Sequence, residues 1–405
     1  MDHVLAALPE TPAVFALGFG ERREPYLART PNLRRRLRRM LAPEGVLSRR
    51  LQLLPFVREI AWSPYGSEFE ASLLLYREMV SVFHDDAGAV RKRLRLRPPA
   101  YLRMSTENDF PRLFATNRYV RSAADRSFGP FPTRVSAERA CDAVLDLFQL
   151  RRCVEDLQPY PEHPACPYFE MKKCLAPCNQ SCTPERHVDE SRAVFEALRT
   201  HGASLLKQLE QERAAAAEAL EFETAAAIHQ RYTRAEAALK ELPEAMHLMS
   251  ELSMVIVQPS AEPGEVALFR LTPQGLVGPA GFSTLGMRLH NEQSGSSSLF
   301  SHPVALAPVP LEPAASGQTT PPESLDDRLE RALSSLRALE PKRPANQQVE
   351  DHLALFTRWA YRPLAKRTGE AIFADTSGSL SSKLLLRAIS RVARAAVVPV
   401  PAPAG

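Results

Sequence analysis

The spacing of apolar residues predicts helices in the first half of the chain. Residues 67–83 begin at a serine, carry Glu68 and Glu70 in the first turn and keep apolar residues at helical spacing, which is typical of a capped, buried helix. A second helix is predicted over about residues 136–150, after short apolar segments that Asn-Asp and Gly-Pro pairs interrupt. Residues 101–153 are therefore interpreted as a small mixed unit of strands and helices.

Residues 184–242 predict two long helices. Gly202 is their one glycine, and the segment is rich in Ala, Glu, Leu, Gln and Arg. An apolar stripe at mixed three- and four-residue spacing indicates an antiparallel helical hairpin. The stripe comprises Ala214, Ala217, Leu220, Phe222, Ala225, Ala226 and Ile228. A core seam inside the hairpin is an equally good interpretation of this stripe.

The last third of the chain combines strands, a linker and helices. Residues 254–257 and 266–271 flank a Pro-Gly turn and predict a strand hairpin, with a third strand around residues 276–277. Residues 293–324 are rich in Ser, Pro, Ala and Gly and are predicted to be a flexible linker. The remaining helical patterns cover residues 326–339, 349–365 and 380–396.

Composition narrows the class of protein. The chain has 405 residues, 44% apolar and 24% charged, which is enough for two or three packed units. It has no apolar run of the roughly 18 residues that a membrane helix needs, so we expect a soluble, cytoplasmic protein without a membrane partner. Its oligomeric state is not indicated by any pattern.

Two arginine-rich blocks interrupt an otherwise balanced charge. All basic residues of 21–51 are arginine, and the second block runs from Arg91 to Arg97, where alternation with Leu94 and Leu96 predicts a strand. Either block alone is explained by a solvated helix surface. Together they favour contacts with phosphates. The arginines expected to bind DNA are Arg29, Arg34, Arg35, Arg38, Arg39, Arg91 and Arg93.

The strongest chemical signal is a group of cysteines. Five of the six fall between residues 153 and 182, which suggests metal ligation in a reducing compartment. Zinc is usually held by two closely spaced CxxC pairs, and this group lacks that spacing. A four-iron four-sulfur cluster is therefore the better expectation. Cys182 is an alternative ligand or a free thiol, and four unligated cysteines are the remaining alternative. The expected ligands are Cys153, Cys166, Cys174 and Cys178.

These cysteines and their neighbours resemble the UvrC family of the UvrABC excinuclease, which acts in bacterial nucleotide excision repair. The stretch CLAPC at 174–178 looks like its cysteine-rich region, and NDFPRL at 108–113 and FGPFP at 128–132 are similar to its upstream motifs. LEFETAA at 220–226 resembles the UVR motif, the hairpin through which UvrC docks on UvrB. The resemblance covers roughly residues 5–245.

The resemblance implies a docking site on UvrB. Leu220 and Phe222 would be its apolar anchors, because apolar anchors inside a charged rim are typical of protein interfaces. Glu221 and Glu223 would form the rim, and Ala226 would complete the apolar face.

The resemblance also implies an N-terminal GIY-YIG nuclease domain. Tyr26 would handle the proton of the attacking water, and Arg36 would neutralise the phosphate. The family's metal-binding glutamate aligns with Tyr76, and Glu78 lies two residues on, on another face of the helix. We therefore expect a retained fold with a lost catalyst, in which Tyr26 and Arg36 are vestigial.

Further departures from the family agree with that loss. Phe15, Ala28 and Gly88 replace a tyrosine, a glycine and an asparagine of the nuclease motifs. The segment His84-Asp85-Asp86 is the nearby cluster that could bind a replacement metal, and Mg²⁺ or Mn²⁺ is expected only if the nuclease is active. The second nuclease domain and the helix-hairpin-helix clamp of the family are not identifiable here.

The sequence thus predicts an α+β protein and leaves three functions open. The first is a DNA-binding, UvrB-docking repair protein with an inactive GIY-YIG site, the second an active single-incision endonuclease with a rebuilt metal site, and the third an iron-sulfur interaction protein without DNA binding. The predicted divisions are 1–100 (nuclease-like), 101–183 (connector and cysteines), 184–245 (UVR hairpin), 246–292 (strand remnant), 293–324 (linker) and 325–405 (helical, role unknown).

Overall fold

The computed structural model describes residues 2–20, 23–41, 53–83, 86–164, 166–287, 323–375 and 378–397. Within these ranges, helices pack on three antiparallel sheets, which confirms the predicted α+β class. None of the helices in the described ranges combines the length and the apolar character needed to cross a membrane.

The N-terminal unit is a three-stranded sheet of order β2-β1-β3 with helices on both faces. Leu33, Leu37 and Leu41 lie four residues apart on one side of α2 and bury that side against the sheet. The capped helix predicted over 67–83 is confirmed. The elements are α1 (Asp2–Ala7), β1 (Ala13–Gly18), β2 (Tyr26–Thr30), α2 (Leu33–Leu41), β3 (Glu59–Pro64), α3 (Glu68–Val82) and α4 (Ala87–Leu94).

The strand predicted over residues 91–97 is wrong. This segment is the end of α4, and Arg95 ends the helix in the left-handed conformation with φ 51°. Asp86 caps the start of α4, because its side chain accepts a hydrogen bond from the Ala89 N–H at 2.8 Å. A short alternating run does not distinguish a strand from a helix, and here the cap favours the helix.

The middle unit has a four-stranded sheet of order β5-β4-β6-β7 that α5 covers. The helix predicted over 136–150 is α5, which ends five residues earlier than expected. The elements are β4 (Ala100–Met104), β5 (Leu113–Thr116), β6 (Ser127–Phe131), α5 (Arg134–Leu145), α6 (Pro167–Glu170), α7 (Pro184–Arg199), α8 (Ala203–Glu218), α9 (Phe222–Leu239) and β7 (His247–Leu248).

Residues 184–242 form three helices in place of the two predicted. The chain turns at Gly202, whose φ is +84°, and a Cβ there would lie 2.1 Å from a methyl carbon of Leu239. Glycine is required at this position for both reasons. The antiparallel hairpin is the pair α8 and α9, so its first helix begins after Gly202.

The third sheet has the order β10-β9-β8-β11 and joins two regions that the sequence separated. The three predicted strands and three predicted helices are present. The short strand β11, absent from the prediction, pairs antiparallel with β8, so the last region contributes to this sheet and is more than a helical piece. The elements are β8 (Met254–Pro259), β9 (Glu265–Thr272), β10 (Gly275–Ser283), α10 (Leu325–Ala338), α11 (Asn346–Ala360), β11 (Glu370–Phe373) and α12 (Ser382–Val397). Most of the predicted linker lies outside the described residues.

Both faces of this third sheet are buried. Along β8, Val255 and Val257 face α10 and α12, whereas Ile256 belongs to the opposite core with α11 and α3. In that second core the ring of Phe69 on α3 lies 5.2 Å from the ring of Phe269 and 5.4 Å from that of Trp359. The N-terminal unit is therefore packed directly on the C-terminal one.

Candidate functional site

Tyr26 and Arg36, the two predicted catalytic residues, lie on one side of the N-terminal sheet. Tyr26 is paired with Leu17 across β1 and β2, and its ring lies 6.1 Å from that of Phe15. Because directly opposed residues share a face of the sheet, Tyr26 points to the side that α2 covers. Arg36 lies half-buried on α2, so both residues belong to that side.

Tyr76, at the position of the family's metal-binding glutamate, lies elsewhere. It is on α3, which packs on the other face of the sheet through Ala71 and Val14. The Tyr76 side chain is 3% exposed, and its hydroxyl donates a hydrogen bond to Asp351 Oδ2 on α11 at 3.3 Å. Burial and the Asp351 carboxylate raise the pKa of Tyr76. The structure thus places this position under α11, away from Tyr26.

The other carboxylates of α3 have local roles. Glu70 is buried at the start of the helix, and its Oε2 accepts a hydrogen bond from the Gly66 N–H at 2.8 Å. Burial raises the pKa of Glu70. Glu78 borders a small cavity with Leu74 and Trp62 beside β3. Of the proposed replacement cluster, His84 and Asp85 lie outside the described residues, and Asp86 is the cap of α4.

The arginines of the first basic block differ in exposure. Arg29 forms an ion pair with Glu68 on α3. Arg34 donates to the Leu8 carbonyl at 2.6 Å and pairs with Glu10 at 2.8 Å, which ties α2 to the segment that follows α1. Three exposed arginines of α2 have no ion-pair partner among the described residues. They are Arg35, Arg38 and Arg39.

Two arginines of the second block are engaged inside the molecule. Arg91 pairs with Asp351 and, at 2.6 Å, with Glu350, and the side chain of Asp351 is 5% exposed. Arg93 pairs with Glu24 at 2.8 Å and lies over the ring of Phe83. Sequence reasoning missed the α11 carboxylates, because the partners of Arg91 are about 260 residues away in the chain. The one signal in the sequence was the pair of adjacent acids, Glu350 and Asp351, within a predicted helix.

The four predicted cluster ligands are brought together in one loop region. Cys174 and Cys178 are buried, whereas Cys153 and Cys166 are half-buried. Burial raises the pKa of Cys174 to about 11, the Ala176 N–H lowers it, and the nearby thiols of Cys166, Cys153 and Cys178 raise it further. Across the part of the chain that the structure describes, no three metal-ligating side chains converge as around a single ion.

Hydrogen bonds to sulfur surround these cysteines. The Ala176 N–H donates to Cys174 Sγ at 3.3 Å, and Arg151 Nη1 donates to Cys153 Sγ at 3.5 Å. Arg151 is itself fixed, because its Nε donates to the Phe110 carbonyl at 2.6 Å. Donors aimed at sulfur favour the thiolate form, the form that binds metals.

The hairpin of α8 and α9 ends in an exposed apolar tip. Leu220 and Phe222 are 72% and 69% exposed. Leu220 sits in the left-handed conformation with φ 59°, and the Glu221 N–H donates to the Ala216 carbonyl at 2.9 Å, which closes the end of α8. Glu221, Glu223 and Ala226 are exposed beside these two residues. The tip is therefore not the internal core seam that the sequence left as an alternative.

Comparison with known proteins gives two kinds of match. Residues 100–197 match the family described as UvrC/Cho excinuclease, middle domain. UvrABC system protein C of Carboxydothermus hydrogenoformans is 30% identical over 220 residues, 54% of this chain and 35% of that protein. UvrABC system protein C of Desulforudis audaxviator is 28% identical over 57% of this chain. That of Pseudomonas putida is 26% identical over 55% of this chain.

The matched region is a minor part of each relative. It spans 35% to 36% of the length of these three proteins. No solved structure matches the chain. The part of the chain shared with the family model contains the second sheet up to β6, α5, the cysteine loop and nearly all of α7.

Proposed function

Because this chain belongs to the UvrC family through its middle region, we propose that it is a cytoplasmic repair protein that binds DNA and docks on UvrB without cutting DNA. The proposed loss of cleavage rests on the position of Tyr76, which is buried beneath α11. A tyrosine hydroxyl bonded to Asp351 occupies the place where the resemblance requires a metal-binding carboxylate.

The chemistry explains why this one position matters. A phosphodiesterase of this type uses a divalent metal to stabilise charge on the phosphate in the transition state, and that term amounts to several kcal/mol. Tyr26 and Arg36 alone supply a proton acceptor and a cation. Glu70 is engaged with the Gly66 N–H at the start of α3, and Glu78 borders the cavity beside β3, so we assign neither the role of the missing ligand.

The exposed hairpin tip supports docking on UvrB. Large apolar side chains that solvent surrounds on a helical tip offer area to a partner, and exposed aromatic side chains are frequent binding hot spots. Phe222 and Leu220 are such residues, and Glu221 and Glu223 beside them provide a charged rim. The base of the hairpin is anchored by the buried Leu209 and Ala235, which leaves the tip free for a partner.

The exposed face of α2 supports DNA binding. Arg35, Arg38 and Arg39 lie in solvent on a helix whose leucines face the sheet. Guanidinium groups on such a face can neutralise backbone phosphates, which yields affinity without sequence preference. We assign Arg29 and Arg93 weaker contributions, because each already faces a carboxylate.

We further propose that the cysteine loop holds a four-iron four-sulfur cluster. The donor set fits such a group: four neighbouring thiols, two of them buried, with N–H donors directed at sulfur. When bound, the cluster would link four positions of a proline-rich loop and so stabilise it. Cys153, Cys166, Cys174 and Cys178 would be the ligands.

The cluster is tested by metal analysis after anaerobic purification. About four irons per chain and a brown colour are expected. Cys174→Ala should remove the iron, whereas Cys141→Ala should retain it, because Cys141 is buried on α5, outside the loop. A colourless protein with one zinc ion, or equal iron in both variants, would contradict the cluster.

The two binding activities are tested together on a damaged duplex. We expect the chain to bind the duplex by itself and to be retained on UvrB-loaded duplex more strongly than on bare duplex. Retention that UvrB does not increase would refute docking. A third candidate, an iron-sulfur protein without DNA binding, would be indicated by UvrB binding together with no affinity for the duplex.

A further inference from the structure

A pocket of about 290 Å³ lies where the end of α4 meets α11. Three arginines line it, two from the N-terminal unit and one from the C-terminal unit. Its principal lining residues are Arg95, Arg97, Arg358, Pro132, Thr357 and Tyr361. We call it the arginine pocket.

Arg358 is held rigidly in this pocket. Its Nη2 donates to the Leu94 carbonyl at 2.8 Å and also to the Arg95 carbonyl. These carbonyls are the free acceptors at the C-terminus of α4, which the left-handed Arg95 ends. The guanidinium therefore joins the two units, and its remaining N–H groups keep a fixed direction.

The charge around the pocket is uncompensated. Burial lowers the pKa of Arg358, and Arg29, Arg362 and Arg97 lower it further because they are like charges close by. Arg29 has a counter-ion in Glu68, but among the described residues Arg97, Arg362 and Arg95 form no ion pair.

Arg91, one helical turn before Arg95, shows the opposite arrangement. It faces two carboxylates of α11, which neutralise it inside the molecule. Arg91 and Arg95 both lie beside α11. The interface between α4 and α11 therefore has counter-ions at Arg91 and none at Arg95 among the described residues. Clustered cations repel one another, and such an arrangement is stable only if solvent or a bound anion offsets the repulsion.

We propose that the arginine pocket binds a phosphodiester group of the DNA backbone. The planar guanidinium fork matches the oxygens of a phosphate, and a pocket of this volume accommodates one phosphate group with its ester oxygens. The proposal rests on the DNA binding proposed above and adds a second contact region to the face of α2. DNA bound there would touch both the nuclease-like unit and the C-terminal unit.

The test compares two charge-matched double variants. Arg95→Gln/Arg97→Gln removes two exposed cations that line the pocket and spares Arg358, which has a structural role. Arg139→Gln/Arg343→Gln removes two exposed arginines elsewhere, neither of which forms an ion pair among the described residues. Binding of each protein to an undamaged duplex is measured over a range of NaCl concentrations.

The expected difference lies in the salt dependence. The slope of log Kd against log salt should fall by roughly one unit in the pocket variant, for the one phosphate that the pocket would neutralise, and not in the control. A wild-type protein that binds the duplex while both variants keep its slope and affinity would overturn the pocket and leave the proposed function intact. A wild-type protein that does not bind the duplex would overturn both.

A second arm separates DNA from free phosphate. Inorganic pyrophosphate at constant ionic strength should raise the Tm of the wild-type protein and not that of the pocket variant, since it offsets the same repulsion. If pyrophosphate stabilises the protein while the pocket variant binds DNA as the wild type does, the pocket accepts small anions only and the proposal is wrong.

Discussion

The face of α3 that α11 covers, called the covered face below, and the tip of the α8–α9 hairpin differ in the exposure of their side chains. At α3, Tyr76 and Asp351 satisfy each other in the interior. At the tip, Leu220 and Phe222 remain in solvent with no partner in the described chain that would bury them. A surface that the chain's own helix covers cannot contact a substrate. An exposed apolar surface is unfavourable in water, and a bound partner removes that unfavourable hydration. The first region therefore contributes to stability, and the second is the docking surface proposed for UvrB.

The largest expected effect comes from breaking the ion pairs at the covered face. Arg91→Met should lower the free energy of unfolding by about 3 kcal/mol, because it leaves the nearly buried Asp351 without its cation. Chemical denaturation measures this. Arg93→Met is the matched control: its pair with Glu24 is largely exposed, so the change should stay within about 0.5 kcal/mol. Equal losses of unfolding free energy in the two variants would show that the buried and the exposed ion pair do not differ in their contribution to stability.

The next effect concerns the tip and should appear in binding alone. Phe222→Ala should weaken the complex with UvrB by about 2 kcal/mol, roughly thirtyfold, as for a hot-spot aromatic. The Tm should not change, because the side chain is 69% exposed in the free protein. Val135→Ala, at an exposed valine of α5, is the control and should leave binding unchanged. A fall in Tm with unaltered UvrB affinity would show that Phe222 belongs to the fold.

The covered face should also respond to pH. His352 is buried beside Tyr76, accepts a hydrogen bond from the Leu276 N–H at 3.0 Å, and has a pKa lowered to about 4 by burial and by Arg77. The unfolded chain takes up this proton near pH 6.5 and the folded chain does so only near pH 4, so stability should fall as the pH decreases through that window.

The histidine contribution is isolated by His352→Asn, which keeps an acceptor for Leu276. Between pH 7 and 5 the variant should lose roughly 2 kcal/mol less of unfolding free energy than the wild type. The pKa of Asp351 is raised, chiefly by burial, and acts in the opposite direction, but it is common to both proteins. Parallel stability curves of the two proteins would show that His352 is not the group that titrates.

The smallest effect is expected from the turn at the tip. Leu220→Gly should raise the stability of the hairpin by up to about 1 kcal/mol, because leucine is strained at φ 59° and glycine is not. The same change should weaken UvrB binding, since it removes an apolar anchor. Thermal denaturation and the UvrB affinity together test this. Lower stability with unchanged docking would mean that Leu220 packs within the hairpin.

Local signals predicted several of the long helices, α4 being the exception that was taken for a strand, whereas pairings between distant residues were not predicted. The serine cap and helical spacing fixed α3, and α10, α11 and α12 followed from spacing alone. The four-residue strand β11 has no alternating pattern long enough to notice and forms because β8 offers it an edge.

The candidate site shows the same division. Crowding of cysteines drew attention to the loop region that contains Cys153, Cys166, Cys174 and Cys178, whose role as ligands stays a prediction. A run of arginines, in contrast, does not say which of them meet carboxylates. Arg91 pairs with acids of α11, whereas Arg97 lies near the cation Arg358 and has no ion pair among the described residues, a difference set by the packing of α4 on α11.

The central claim, a retained fold without its catalyst, is tested most directly by an incision assay. A damaged duplex and a branched duplex are incubated with the purified protein and UvrB in the presence of Mg²⁺ or Mn²⁺, and the strands are resolved on a denaturing gel. We predict no incision above that of the Tyr26→Phe variant, with both proteins bound to the DNA. Metal-dependent incision that Tyr26→Phe abolishes would contradict the claim.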